Sequence, residues 1–326
     1  MGVSLKYRLE SSLLRLFGDQ LGLRKVGNER LFILIYHRIL DKPDQMLTSE
    51  PNVDTFRWQM EALVRNFNVI PLSSALEQLQ NGTLPPRAVS ITFDDGYRST
   101  HDLALPIVKE LNLSATVFIA TSHLDGSNMW NDRIIEAIRH IQPSTIDLSV
   151  IGLGVHTINN QSDRVTVADQ LVQAVKYQTS EQRLALTHRL EQLAGAAPHE
   201  ELMLSEAMIK NLANNGFEIG GHTVTHPILL NISEEEGKKE MIQCKQTLEA
   251  ITGKPVNLFA YPNGKVGLDY DQRHAQMAKE VGYSAAFNTS IDAVSKNTDP
   301  YQIPRGCPWD KSPLMFQLRL LRWLGQ

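Results

Sequence analysis

The chain has 326 residues, of which 42% are hydrophobic and 21% charged, and its formal net charge is −4. This composition is that of a globular protein and excludes disordered and fibrous classes, while the acidic balance argues against nucleic acid as the main partner. The two cysteines, Cys244 and Cys307, form no Cys-x-x-Cys pair and give no disulfide framework, so we expect one thiol on a helix surface and one in a loop.

The N-terminal region lacks the features of a secretory signal peptide. Its first apolar cluster, residues 13–17, is interrupted by Arg15 and followed by Asp19, so no continuous hydrophobic stretch forms. The apolar run at 31–36 is far too short to span a bilayer. We therefore expect a cytoplasmic protein.

Both ends of the chain carry amphipathic, basic stretches, at residues 6–24 and 314–324. We interpret residues 1–30 as an N-terminal helical segment and residues 311–326 as a C-terminal amphipathic helix. Helices of this kind either pack on a core or lie on a membrane surface. Peripheral contact with the inner face of a membrane is therefore an open alternative.

Short β-rich runs alternate with helical patterns along the rest of the chain, which is typical of βα repetition and a parallel sheet. The second and third runs are nearly uninterrupted apolar or β-branched sequence, as expected for strands that are covered on both faces. The predicted strands are 31–36, 88–93, 115–120, 217–219, 258–261 and 284–287.

Apolar periodicity and capping residues predict helices between these strands. After Asp54, one apolar stripe is formed by Phe56, Met60, Leu63 and Val64. Serines that can cap a helix and glycines that can end one bound most of the other helices. These helices run from Ser205 to Gly216, from the capping box of Ser233 and Glu236 to Gly253, and from Gln272 to Gly282.

The stretch from about 122 to 200 breaks this alternation. It holds a helical piece after Trp130, a polar segment rich in Gly and Asn at 152–163, and a helical pattern at 167–193. We interpret it as a helical insertion after the third predicted strand rather than as a separate domain. Loops carry specificity on such scaffolds, so a role in covering a substrate is plausible.

Two adjacent carboxylates end the second predicted strand, where the sequence reads Thr-Phe-Asp94-Asp95-Gly96. Burying two charges is costly unless a metal or another cation compensates them. The turn that the glycine permits can let one carboxylate bind metal while the other faces substrate. An ordinary Asp-Asp-Gly surface turn is the alternative.

Two histidines, His222 and His226, follow the fourth predicted strand and a glycine pair at 220–221. If this segment makes a helical turn, side chains four residues apart meet on one face, which is a familiar spacing for two metal-ligating imidazoles. The glycines would allow a tight exit from the strand. A pair of ordinary histidines is the alternative.

A third segment, residues 259–264, is a strand that ends in a Pro-Asn-Gly turn. Exposed backbone N–H groups in such a turn could face a reacting oxygen. Considered alone, the segment is only a turn. Its position after a strand places it, like the other two segments, where strands of a parallel sheet end.

In order and spacing, the three segments together resemble the signature of the polysaccharide deacetylase family, carbohydrate esterase family 4, over residues 31–308. Residues 92–96 look like its Thr-Phe-Asp-Asp-Gly motif, and residues 222–226 look like its His-Ser/Thr-x-x-His motif. The resemblance implies the nodulation-factor-deacetylase-like domain, an α/β fold built as an irregular (β/α) barrel of about seven strands. This barrel would occupy residues 31–310 with the insertion at about 122–200, and its active site would lie at the C-terminal ends of the strands.

The resemblance also implies a role for each motif residue. Asp94 would be the catalytic base, and a divalent metal would be held by Asp95, His222 and His226. The metal is usually zinc in this family, with Co²⁺, Mn²⁺, Ni²⁺ or Fe²⁺ as alternatives, and it would activate water and polarise the acetyl carbonyl. The backbone N–H that steadies the oxyanion follows the motif's proline, which here is the N–H of Asn263.

The sequence departs from the family pattern in two places. The arginine that usually stands two residues before the proline is Ala260 here, and Arg305 is the candidate replacement, with an ordinary structural arginine as the alternative. The late Leu-x-His motif that supplies the acid is absent. His37 is the candidate general acid, since it lies in a Tyr-His-Arg segment similar to that of the subgroup containing exopolysaccharide poly-N-acetylglucosamine deacetylases.

The hypothesis from the sequence is a hydrolase that removes N-acetyl groups from hexosamine units of a polysaccharide or glycoconjugate precursor and releases acetate. Its partner would be an N-acetylated glycan and not nucleic acid. Two alternatives remain open. One is a carbohydrate-binding barrel that has lost turnover, and the other is a related metal hydrolase that acts on a non-sugar amide.

Overall fold

The computed structural model describes residues 29–149, 152–195, 200–306 and 309–325. The predicted N-terminal helical segment at 1–30 lies outside the described residues, apart from its last two positions. The basic stretch at 6–24 and Cys307 lie outside them as well. Within the described ranges, no helix is both long enough and apolar enough to cross a bilayer.

Strands and helices alternate along most of this chain. The strands are β1 (Leu31–Tyr36), β2 (Asn68–Val69), β3 (Ala88–Phe93), β4 (Thr116–Ile119), β5 (Ser144–Asp147), β6 (Val155–Ile158), β7 (Glu218–Gly221), β8 (Leu258–Ala260) and β9 (Ala285–Phe287). The α-helices are α1 (Val53–Asn66), α2 (Leu72–Asn81), α3 (Leu105–Glu110), α4 (Trp130–His140), α5 (Gln161–Val175), α6 (Ser180–Ala194), α7 (Glu206–Asn214), α8 (Glu234–Thr252), α9 (Gln272–Val281) and α10 (Pro313–Leu324).

One parallel sheet of seven strands organises the molecule, in the spatial order β1-β3-β4-β7-β8-β9, with the short β2 also paired to β3. The segment 303–306 spans the gap between the last and the first strand, because Ile303 pairs with Phe287 and Gly306 pairs with Leu34. The predicted α/β fold, an irregular barrel of about seven strands, is confirmed. The two-residue β2 escaped prediction because it is too short to show a periodic pattern.

Both faces of β1 and of β3 are buried. Every residue of β1 and of β3 is buried, and alternate residues of β1 join different hydrophobic clusters. Phe32 and Leu34 pack in the layer that contains α1, whereas Leu31 and Ile33 pack with Phe118 on the other face. This two-sided burial explains why β1 and β3 appear in the sequence as continuous apolar runs.

Two side chains lie where the sequence did not predict them. Val64 was expected on the buried stripe of α1 but is 46% exposed, because it is turned about 100° away from its buried neighbour Leu63. Cys244 was expected on a helix surface but is fully buried. It lies between Met241 and Leu248 on the face of α8 that packs against β7, since residues three and four apart share a helix face.

The insertion after β4 contains more than helices. Helices α4, α5 and α6 pack around their own hydrophobic cluster, but β5 and β6 form an antiparallel hairpin between α4 and α5. The predicted helical insertion is confirmed, and the hairpin is an additional element that the sequence did not predict. The hairpin buries only Ile146 and Ile158, so the sequence shows no alternation from which strands could be predicted. The helical pattern at 167–193 proves to be two helices, separated by a capping box at Thr179 and Gln182.

Candidate metal centre and active site

The C-terminal ends of four parallel strands deliver the predicted site residues to one cavity of about 340 Å³. These ends belong to β1, β3, β7 and β8, and all of them meet at the same edge of the sheet. The residues that line the cavity from these ends are His37, Asp94, Asp95, His222, His226 and Asn263. Arg305 does not line the cavity, but it contacts Asp94 from within the barrel.

Asp95, His222 and His226 converge on one point. Oδ1 of Asp95 lies 3.3 Å from Nε2 of His222 and 3.2 Å from Nε2 of His226, and the three donor atoms lie within 4.8 Å of one another. Nδ1 of His222 is 2.7 Å from the carbonyl oxygen of Ala260. A proton on that nitrogen would donate to the carbonyl and leave Nε2 free as a ligand.

The chemistry of these three groups fits a divalent metal ion. Burial alone would raise the pKa of Asp95, but its contacts with the imidazoles of His222 and His226 outweigh burial and hold the pKa well below its usual range. Asp95 is therefore an anion in a buried position, where a cation is needed to compensate its charge. One carboxylate and two imidazoles are a common ligand set for zinc, and three protein ligands leave coordination positions for water and substrate.

Strained backbone conformations concentrate at this site. Of the non-glycine residues in the described chain that have positive φ, four belong to the motif segments: Asp95 at 70°, Thr223 at 65°, His226 at 54° and Asn263 at 59°. Such conformations cost about 1–3 kcal/mol each for most residue types and cluster at functional sites. Asparagine, aspartate and histidine adopt this region more readily than most residue types, so Thr223 is the unusual one of the four.

The histidine segment does not form the helical turn that the sequence suggested. His222 and His226 approach through an irregular turn with left-handed residues at Thr223 and His226, and the ring centroids lie 4.8 Å apart. Glu240 of α8 holds this turn, since its carboxylate accepts hydrogen bonds from the backbone N–H groups of Val224 at 2.7 Å and Thr225 at 2.8 Å. Sequence reasoning missed Glu240, because an acidic residue on a helix is ordinary in sequence.

The glycine pair before His222 has a steric role rather than the expected one of permitting a tight exit. Neither glycine has positive φ. A Cβ at Gly220 would lie 2.4 Å from the ring of Phe118, and a Cβ at Gly221 would lie 2.5 Å from the hydroxyl of Tyr283. The close packing of β7 against these aromatic rings therefore excludes any larger residue.

Asp94 is held by a fully buried arginine. Arg305 donates from Nη1 to Oδ1 and from Nη2 to Oδ2 of Asp94, each at 2.8 Å, and from Nη1 to Oγ1 of Thr92 at 3.0 Å. Burial alone would raise the pKa of Asp94, but the charge of Arg305 leads the effects that lower it below its usual value. Arg305 reaches this position because it lies on the segment 303–306 that closes the sheet. Arg305 thus makes the contact with Asp94 that is expected if it replaces the motif arginine, whose position is occupied by Ala260 in this chain.

His37 lies directly after β1 and faces several carboxylates. Burial lowers the pKa of His37, but the charges of Asp95, Glu50 and Asp94 outweigh burial and raise it above its usual value. Glu50, which sequence reasoning did not single out, lines the same cavity and accepts a hydrogen bond from the backbone N–H of Arg38 at 3.3 Å. It lies in an irregular loop, where no periodic pattern marks it. The surroundings of His37 favour the protonated imidazole that a general acid requires.

The Pro-Asn-Gly turn lies at the edge of the cavity, where Asn263 contributes to the lining. No hydrogen bond from the N–H of Asn263 occurs among the described residues, whereas its carbonyl accepts from Oγ1 of Thr289 at 2.9 Å. A Cβ at Gly264 would lie 2.9 Å from Cγ2 of Thr289, so a glycine is needed there. An available N–H beside the base and the metal ligands is suited to stabilise an oxyanion.

The insertion forms part of the wall of the cavity. Side chains from the start of α4 and from one face of α5 contribute to the lining, as does Lys176 just after α5. At the start of α4, Asp132 is buried and accepts a hydrogen bond from the hydroxyl of Tyr97 at 2.9 Å, while Nη1 of Arg38 lies 3.4 Å away. Burial raises the pKa of Asp132 to about 6. The insertion therefore shapes the space next to the predicted catalytic groups.

Comparisons with known proteins agree with this geometry. The family model for polysaccharide deacetylases matches residues 81–286. A Bacillus subtilis (strain 168) protein classed by its name with the polysaccharide deacetylases, YxkH, is 19% identical over 276 residues, which cover 85% of this chain and 70% of that protein.

Two further comparisons concern an enzyme and a solved structure. The poly-β-1,6-N-acetyl-D-glucosamine N-deacetylase of Staphylococcus epidermidis is 26% identical over 161 residues, which cover 46% of this chain and 53% of that enzyme. The chain thus matches about half the length of that relative. The Streptococcus pyogenes deacetylase PplD, solved in complex with acetate, shares the fold with a TM-score of 0.61 at 18% identity, over 90% of this chain and 98% of that one.

Proposed function

Because the chain belongs to the polysaccharide deacetylase family, we propose that it is a metal-dependent glycan N-deacetylase. It hydrolyses the N-acetyl group of hexosamine units in a polysaccharide or glycoconjugate precursor and releases acetate. The observation that carries this proposal is the position of Asp94, which is held by Arg305 beside the Asp95–His222–His226 cluster in one cavity. Both groups that amide hydrolysis requires, a base and a metal-binding set, face the same space.

Each residue around the cavity has a separate role in the proposed reaction. A metal ion held by Asp95, His222 and His226 would supply Lewis-acid activation of water and of the acetyl carbonyl. Asp94 accepts the proton of the attacking water. The N–H of Asn263 donates to the oxygen that becomes negative, and protonated His37 gives its proton to the departing amine. The products are acetate and a free amino sugar.

The proposed substrate class is supported by the name of one relative and by the size and lining of the cavity. The relative in Staphylococcus epidermidis is named for N-deacetylation of poly-β-1,6-N-acetyl-D-glucosamine, which supports N-acetylglucosamine units as the substrate here. The cavity, at about 340 Å³, is at the small end of the range for ligand sites. Its wall contains Trp130, an aromatic side chain of the kind that can pack against a sugar ring.

The buried pair of Arg305 and Asp94 bears on the alternative of a barrel that has lost turnover. The sequence departs from the family motif at Ala260, where the motif has an arginine. Arg305 instead donates two hydrogen bonds to Asp94, and this contact supports the proposal of an active site despite that departure.

Acetate release from N-acetylglucosamine oligomers tests the proposal. The purified chain is treated with a chelator and then reloaded with zinc, cobalt or manganese. We expect release to stop on chelation and to return with at least one metal, and we expect Asp94→Asn to stay inactive after reloading. A reloaded wild-type protein that binds metal but releases no acetate from any N-acetylated glycan would overturn the proposal.

A further inference from the structure

The C-terminal helix α10 exposes an apolar face. Leu314 is 37% exposed, Met315 51% and Leu318 41%. These positions lie within about 100° of one another around the helix axis, so they form one continuous strip. Trp309, which precedes the helix, is 51% exposed, but its ring packs against that of Trp323 with centroids 5.6 Å apart and so lies beside the packed face of α10. We call Leu314, Met315 and Leu318 the apolar strip.

Two exposed cations flank the apolar strip in the sequence. Lys311 and Arg322 are exposed, and Arg322 lies on the same side of α10 as the strip. Arg319 is ion-paired with Asp310 and lies over the ring of Trp309 at 4.2 Å. No acidic residue occurs from 311 to 326. A chain with a net charge of −4 therefore carries a local basic surface here.

The opposite face of α10 is firmly packed, so the exposed strip is not a poorly folded part of the core. Trp323 stacks on Phe32 of β1 with ring centroids 4.4 Å apart, and Phe316 makes an edge contact with Trp58 of α1 at 5.6 Å. Residues of α10 do not line the active-site cavity. A partner bound to the apolar strip would leave the cavity open.

We infer that the apolar strip binds the surface of a membrane rich in anionic phospholipids. A helix with apolar side chains flanked by lysine and arginine lies in the interface between headgroups and acyl chains, and cations near the surface attract anionic headgroups. A second copy of the chain fits less well. A symmetric pairing of two such strips would bring Lys311 and Arg322 of one copy close to the same two cations of the other, so like charges would oppose each other.

Sedimentation with vesicles tests the inference, using the whole purified chain. Vesicles of phosphatidylcholine alone are compared with vesicles that also contain phosphatidylglycerol, at low and high salt. We expect binding to the anionic vesicles that weakens as salt rises. The double variant Met315→Glu/Leu318→Glu should lower the partition coefficient by at least about tenfold, and Lys311→Gln and Arg322→Gln should each lower it by about fivefold.

A matched control is Leu184→Glu, which changes a leucine with 46% exposure on helix α6 and should leave vesicle binding unchanged. Circular dichroism and acetate release verify that each variant is folded. The inference is overturned if the wild-type chain does not bind anionic vesicles, or if the double variant binds as well as the wild type. It is equally overturned if the strip mediates a dimer, seen as a concentration-dependent mass that the double variant abolishes.

Discussion

Arg305 and Asp94 are 211 positions apart in the sequence, and they are joined by two parallel hydrogen bonds of 2.8 Å. The planar guanidinium matches both oxygens of the carboxylate and so fixes its rotation as well as its charge. A lysine at this position could contact one oxygen but could not fix the plane of the carboxylate. The orientation of the proposed base therefore depends on the identity of residue 305.

We expect Arg305→Lys to lower kcat for acetate release by about 10- to 100-fold, the usual cost of losing a group that orients a catalytic residue. Metal content should not change, because Arg305 does not contact the proposed ligands. Steady-state kinetics and metal analysis of the purified variant measure both quantities. Arg57→Lys is the matched control, since Arg57 makes a bidentate pair with Glu110 on the surface. Wild-type kcat in Arg305→Lys would refute the orienting role.

Substitution by asparagine should affect kcat at Asp94 and metal binding at Asp95. Asp94→Asn removes the proposed base and should lower kcat by at least about 100-fold while the protein still binds metal. Asp95→Asn removes a proposed ligand and should weaken metal binding, because a neutral amide is a poorer ligand for a divalent cation than a carboxylate. Titration with zinc followed by calorimetry separates the two. Loss of metal from Asp94→Asn, with retention in Asp95→Asn, would reverse the assignment.

Asp132 should make stability depend on pH. Burial raises its pKa from the usual 3.8 to about 6, so the folded state binds this proton more tightly than the unfolded state. The stability that protonation contributes is present below the unfolded pKa and is lost as the pH rises through about 6. The loss is on the order of 3 kcal/mol.

The variant Asp132→Asn should flatten this dependence, since an amide does not titrate. Urea unfolding at about pH 4 and about pH 7, with a chelator present throughout, measures the difference. Asp41→Asn, at an exposed position, is the control and should retain the wild-type slope. Parallel pH profiles for Asp132→Asn and the wild type would show that the carboxyl is not a source of the slope.

Two glycine-to-alanine substitutions should change the free energy of unfolding in opposite directions. Gly220→Ala would place a Cβ 2.4 Å from the ring of Phe118 and should lower the free energy of unfolding by about 1–3 kcal/mol. Gly237→Ala lies inside helix α8, where the nearest atom to the new Cβ is 3.6 Å away, and should raise it by up to about 1 kcal/mol. Chemical denaturation measures both. Equal stability of the two variants would mean that β7 moves to accept the methyl group.

The site residues that could be predicted are those that lie in short, continuous stretches of the sequence. Asp94 and Asp95 follow β3, whose apolar run is visible in the sequence, and His222 and His226 lie in the segment that follows β7. The edge of a parallel sheet brings such strand ends together. No such pattern in the sequence identifies Glu240. It reaches the histidine turn only because α8 packs on β7, and no local pattern encodes that contact.

Closure of the sheet was unpredictable for a related reason. The segment 303–306 contains a proline and pairs through isolated residues rather than as a regular strand, so it lacks the alternation that identifies strands. The position of Arg305 was instead suggested by a family resemblance and by the absence of arginine at Ala260. The hairpin of β5 and β6 was missed because only Ile146 and Ile158 are buried in it.

The location of Arg305 on the closing segment has a consequence for biosynthesis. Every other residue proposed for the reaction lies between His37 and Asn263, and so leaves the ribosome before Arg305 does. Until the segment 303–306 docks between β9 and β1, a nascent chain lacks the guanidinium that holds the carboxylate of Asp94. The orientation of the proposed base would thus be acquired only once the barrel is complete, and truncation before residue 305 would remove it.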